Sequence, residues 1–303
     1  MSSATDASNL QDADLDTVLD RRSAWEKTKT LAAKQPLGAF GFAVVLLMVF
    51  MAVFADVITT LDPEDISFGD MLVSPSLDFL LGTDQLGRDI FTRIVYGART
   101  ALLVGITASV VGAFIGLILG VASAYFGGTF DLLFQRFMDV FMAFPLIILA
   151  LAIVSIFGGG VDKVILAITI PFIPRCARVV RSNALAIREI PYVDAARAMG
   201  FSHSRIILRH MVPNVMAPFL IMITAFVGQA ILTEASLSYL GMGVQEPTPA
   251  WGLMLQGGAE EYAESAPWVP IFPGVAITLA VFGFNLFGDA VRDTLDPRLR
   301  SQQ

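Results

Sequence analysis

The sequence predicts an all-α, polytopic membrane protein with six transmembrane helices. Three observations carry this expectation. Of 303 residues, 55% are hydrophobic and 16% charged, with a mean hydropathy of +0.69; a soluble domain is less apolar and more charged. Six apolar runs are each about 20 residues long, enough to cross a hydrocarbon core. The basic residues gather in alternate connections between those runs, the pattern that sets membrane orientation.

Residues 1–36 precede the first run. Their first part is rich in Ser, Ala and Asp, with Asp6, Asp12, Asp14, Asp16 and Asp20, and has little to bury. It lacks the basic start and early apolar core of a secretory signal peptide. A cytoplasmic tail is expected here, with residues 37–303 forming the membrane domain. The predicted spans are 37–58, 101–125, 140–157, 161–180, 215–240 and 269–288. The fourth is interrupted by Pro171 and Pro174 and ends among arginines. In the second, Gly105, Gly112, Gly116 and Gly120 mark a bare face, read as a close helix–helix contact. Gly158–Gly160 reads as an outer turn.

Lys and Arg number five before the first span, one between the second and third, seven from the end of the fourth span to the fifth (Arg175 and Arg178 counted with that connection), and three after the sixth. The opposite connections hold three, one (Lys163, at the start of the fourth span) and none. Both termini and the connection before the fifth span are therefore expected in the cytoplasm, with loops 59–100 and 241–268 outside. Loop 241–268 carries Glu246, Glu260, Glu261 and Glu264 with no base, plus Trp251, Trp268 and three prolines. It reads as a folded or re-entrant hairpin near the outer interface.

The most basic connection contains residues 192–214, YVDAARAMGFSHSRIILRHMVPN. Tyr192, Ala195, Ala196 and Met199 recur at one helical face, after Pro191 at a first-turn position. Gly200 follows as a left-handed C-terminal cap. Ser202 is placed to cap a second short helix, with Phe201 and Ile206 at the spacing of a hydrophobic staple, and Pro213 stops that helix or begins the next span. Ala195 and Ala196 leave a bare side onto which a partner can dock; a plain linker between spans is the other reading.

No catalytic set emerges from the sequence. His203 and His210 are seven apart with no carboxylate or cysteine to complete a metal site, and no Gly-rich Lys-Ser/Thr phosphate loop is present. Cys176 is the single cysteine, so no intrachain disulfide forms. The net charge of −7 does not point to nucleic acid. Glu234 is the one carboxylate well inside an apolar run. It is a candidate translocation-path residue, with a hydrogen-bonded structural role near the end of its span, to Thr233, Ser236 or Ser238, as the other reading.

The run Asp194-Ala-Ala-Arg-Ala-Met-Gly200, followed by His210-Met-Val-Pro213, resembles the coupling signature of ABC-importer permeases. The family usually has Glu at the position of Asp194 and often Ile at that of His210. Residues 81–89 (LGTDQLGRD), 234–243 (EASLSYLGMG), 249–252 (PAWG) and 288–298 (GDAVRDTLDPR) resemble one permease type of dipeptide/oligopeptide importers, with Glu246 where that family more often has proline. The resemblance implies a type I importer permease fold in a prokaryotic plasma membrane. It implies a coupling region at 191–213 in which Asp194, Ala195, Ala196, Arg197, Met199 and Gly200 engage an ATPase. The implied partners are a sister permease, two ATP-binding subunits that hold the ATP and magnesium, an extracytoplasmic binding protein and a peptide substrate. This chain itself then carries no cofactor and no enzyme activity. Nickel, glutathione and oligosaccharides are alternative cargoes of the same machinery. An ion-coupled carrier using Glu234, and a membrane-anchored DNA regulator using 192–213 as a helix-turn-helix, are readings from other classes.

Overall fold

The computed structural model describes residues 35–259 and 261–295. The expected tail up to residue 34, Glu260 and the end of the 288–298 segment lie outside the described residues. Within them the chain is helical, and its only strand-like feature is an isolated bridge between Thr83 and Asp89.

Helix α1 (Pro36–Ile58) begins on a proline, which costs nothing where the N–H has no helical partner. Helix α2 (Ile90–Phe126) starts well before the expected 101. Asp89 caps it, accepting from the Thr92 backbone N–H at 2.8 Å and the Thr92 hydroxyl at 2.6 Å. Arg93 and Arg99 made this turn look like loop in the sequence, but each is drawn to a carboxylate, Glu246 and Asp56 respectively.

The third expected span is broken. Helices α3 (Gly128–Met142) and α4 (Leu146–Phe157) meet at an 86° bend, because Pro145 forces Phe144 out of helical geometry. Ion pairs Arg178–Asp139 and Arg181–Asp131 hold α3 against helix α5 (Val161–Arg188). Helix α5 runs through Pro171 and Pro174 and continues beyond the expected end at 180; packed neighbours tolerate such prolines in membrane helices. Arg175, counted above with the basic connection, therefore sits about halfway along a helix rather than in a loop.

Helix α6 (Pro191–Ala198) is followed by α7 (His203–Tyr239), then α8 (Trp251–Ala259) and α9 (Trp268–Leu295). Pro213 does not stop α7. A π-helical turn, Ile207–Met211, precedes it and absorbs the mismatch left by the missing N–H. Among the described residues α1, α2, α7 and α9 are long and apolar enough to cross a membrane, with a fifth span if α3 and α4 act as one. Helix α5 corresponds to the fourth expected span, its hydropathy lowered by the charges it carries.

The most extensive contact is α2 against α5, and the glycines of α2 explain it. A Cβ on Gly116 would lie 2.6 Å from Cys176 Cβ, and one on Gly120 2.5 Å from the Ala177 carbonyl oxygen. Backbones meet directly, which is how helices gain contact energy in lipid. One core joins α2, α4, α5 and α7, with the Phe172 and Phe226 rings stacked 4.2 Å apart, and extends to α6. A second joins α1, α8 and α9 to α2 and α7.

Candidate functional site

Two places carry the sequence's candidate residues: the α6 end of the bundle, and the opposite end, formed by loops 59–89 and 240–250.

At the α6 end, the helix closes in a Schellman arrangement. Gly200 has φ +77°, its N–H donates to the Arg197 carbonyl at 2.9 Å, and the Phe201 N–H donates to the Ala196 carbonyl at 3.2 Å. The side chains divide unlike the expected face. Val193 (0% exposed) and Ala196 (2%) are buried and dock the helix onto its own chain, while Ala195 and Asp194 point away and Met199 is 66% exposed. The two alanines are adjacent, 100° apart around a helix, so burying one turns the other outward. Arg197 turns back, donating to Asp194 at 3.2 Å with its guanidinium over the Tyr125 ring.

Further contacts hold this end rigid. The Tyr192 hydroxyl donates to the His210 carbonyl at 3.0 Å, and the Asn214 amide donates to the same carbonyl at 2.7 Å. The Tyr125 hydroxyl and His203 Nδ1 share a 2.6 Å hydrogen bond. Ser202 occupies the N-cap position of α7 without a side-chain cap bond. Phe201, placed at staple spacing by the sequence, stacks on His210 and lies beneath the Arg205 guanidinium.

At the opposite end, Glu234 is buried (1% exposed) and accepts from the Ser238 hydroxyl at 2.7 Å. That hydroxyl in turn accepts from the Val244 N–H at 3.1 Å. The carboxylate thus faces the turn at 241–244, inside the chain's own packing. The Gly158–Gly160 turn meets the same loop, the Gly160 N–H donating to the Gly243 carbonyl. Loop 241–268 is folded, as expected, and contains α8. Trp251 is buried and its indole N–H donates to the Ile94 carbonyl at 3.0 Å.

An ion network ties these loops together. Arg88 donates to Asp84 at 2.7 Å and to both carboxylate oxygens of Glu246, at 2.8 and 3.2 Å. Arg93, 0% exposed, lies 3.5 Å from Glu246 and donates to the Pro63 carbonyl. Burial alone would depress the Arg88 pKa; Glu246 and Asp84 more than offset it and hold the guanidinium above its ordinary value. The sequence names Arg88 and Glu246 but gives no sign that they pair.

The described residues thus form a helical bundle of membrane type with close glycine packing, a short helix presented at one end and ion-paired loops at the other. The chain belongs to the family of binding-protein-dependent transport system inner membrane components, whose pattern matches residues 112–301. It is 45% identical over 262 residues, 86% of this chain and 88% of the relative, to a Brucella abortus protein named as a peptide transport system permease. It is 41% identical to the dipeptide transport system permease protein DppC of Alkalihalophilus pseudofirmus, over 92% of this chain and 91% of that one. The glutathione transport system permease protein GsiD of Pectobacterium atrosepticum is 40% identical over 92% of this chain and 93% of its own length. A solved chain of the MetNI methionine ABC transporter, in an inward-facing conformation, aligns with a TM-score of 0.54 and 21% identity, covering 67% of this chain and 96% of that one. That likeness concerns the fold.

Proposed function

We propose that this chain is one of two permease subunits forming the translocation path of an ATP-driven importer, and that its cargo is a di- or oligopeptide delivered by an extracytoplasmic binding protein. ATP and magnesium bind on two partner subunits, and α6 couples them to the bundle. Both termini and α6 face the cytoplasm, as the basic-residue bias favours. The observation that carries the coupling role is the division of α6. Val193 and Ala196 anchor it, so a push on the uncovered Asp194, Ala195, Met199 face is passed to α2 and α7 without slack. Relatives named for peptides support the cargo, and glutathione is itself a tripeptide.

Glu234 accepts from Ser238 and is enclosed in the chain's own packing, which favours a structural role over an ion-coupled carrier. The test is reconstitution of this chain with its sister permease, ATPase and binding protein in proteoliposomes. Peptide accumulation should require ATP and all components. Accumulation without the ATPase rejects the proposal.

A further inference from the structure

Helix α5 carries four arginines along its second half, and three of them are matched. Arg178 pairs with Asp139, Arg181 with Asp131, and Arg188 with Glu189 and the Ala124 carbonyl. Arg175 is not. Among the described residues its hydrogen-bond partner is a neutral amide, Gln229 Oε1 at 3.1 Å on α7, and no carboxylate lies within ion-pair distance. The residue stands roughly 20 Å from either end of α5, taking 1.5 Å per residue. A full positive charge thus sits at mid-helix with one neutral acceptor for its five donors.

The surface around it is uncovered. Ala225, Gln229, Leu232 and Ser236 recur at helical spacing along α7 and are all exposed or half-exposed. One turn from Gln229, Ala225 lines a cavity of about 330 Å³ between α7 and α9, together with Asn285 and Asp289. Lipid does not readily accommodate a guanidinium and an amide within an apolar helical bundle; such groups face a bundle interior or a watery path.

We propose that Arg175 and Gln229 form a subsite on the translocation surface that takes the carboxylate of the passing peptide, an inference that rests on the peptide reading above. The chemistry fits the pair. A guanidinium donates two parallel hydrogen bonds to a carboxylate. Gln229 spends its oxygen on Arg175, leaving its NH₂ group to donate to the same anion. The site is built to release as well as to bind, because a mid-path group that held a permanent carboxylate partner would have no charge left to offer. Glu234, five residues on, is turned into the chain's own packing and does not compete.

The test uses the complete importer in proteoliposomes with trialanine as the probe, measuring peptide accumulated and ATP hydrolysed together. No accumulation by the wild type rejects both the peptide reading and this inference. With the wild type active, Arg175→Gln is expected to assemble and to keep binding-protein-stimulated hydrolysis. It should accumulate about 10- to 100-fold less peptide per ATP, as loss of a charge-assisted hydrogen-bond pair implies. Arg175→Lys should recover part of this. Gln229→Glu places an internal carboxylate beside Arg175 and should lower transport as strongly. Unchanged peptide per ATP in Arg175→Gln or in Gln229→Glu overturns the inference while leaving the peptide reading intact. Loss of the sister permease on purifying Arg175→Gln also overturns it, since the arginine would then serve an ion pair between subunits.

Discussion

Arg88 and Glu246, 158 residues apart in the chain, join the two loop segments through a pair of hydrogen bonds of 2.8 and 3.2 Å. The pair matters because of what lies beneath it. Arg93 is fully buried, its nearest carboxylate is the same Glu246, and its Nε and Nη2 have no hydrogen-bond partner. Glu246→Ala leaves two guanidinium groups sharing Asp84. Breaking a buried pair costs several kcal/mol, but Glu246 is 46% exposed and water screens part of the loss. A destabilisation of about 1–3 kcal/mol is expected. Thermal unfolding of the detergent-solubilised protein reads it. Glu246→Gln should fall between the two, and an unchanged midpoint in Glu246→Ala would show that the loops are held by packing alone.

Glu234 gives a prediction of the opposite sign. Its carboxylate accepts one hydrogen bond from Ser238 inside a closed environment. Glu234→Gln keeps an acceptor of the same size in the same place. ATP-driven uptake by the reconstituted importer is expected to stay near wild type. A collapse of uptake with normal assembly would return this residue to the translocation path.

Orientation is tested by labelling. Ser76 and Ser265 are both exposed, in loops that the charge bias places outside. Cys176 is buried against Gly116 with its thiol near the Ala113 carbonyl, so Cys176→Ala removes the native thiol and leaves the α2–α5 contact nearly intact. In that background, Ser76→Cys and Ser265→Cys should react with an impermeant maleimide on intact cells. Reaction only after permeabilisation inverts the topology.

Much of this architecture is legible locally. Apolar runs give the long helices, Gly200 gives the turn after α6, and the glycines of α2 give its closest contact. What escapes the sequence is pairing across distance. The charges of Arg88, Arg93 and Arg99 disguise a helix start as loop, because nothing nearby in sequence shows that Glu246 and Asp56 will meet them. Ala195 and Ala196 look equivalent until Val193 decides which side is buried. Arg175 reads as one of a basic series, and its lack of a counter-ion becomes visible only when its neighbours' partners are known.

Coupling is tested at Gly200. Its φ of +77° lets the Phe201 N–H reach back to the Ala196 carbonyl, and this bond ends α6 and turns the chain toward α7. A Cβ at Gly200 meets nothing within 4 Å, so a substitution there is penalised by backbone conformation and not by a clash. Gly200→Val should cost about 1–2 kcal/mol for the left-handed residue, with more for β-branching. Fraying the cap frees the Ala196 carbonyl and lets Met199 and Ala195 shift, while Val193 and the long helices keep their packing. The variant is expected to reach the membrane and pair with the sister permease, yet to retain the ATPase poorly and to lose binding-protein-stimulated hydrolysis. Gly200→Asn, whose side chain tolerates the same φ, should lose much less. Co-purification with the ATPase and stimulated hydrolysis in nanodiscs measure both. Wild-type values in Gly200→Val would mean that α6 is a linker, and the coupling role of Asp194, Ala195 and Met199 would fall with it.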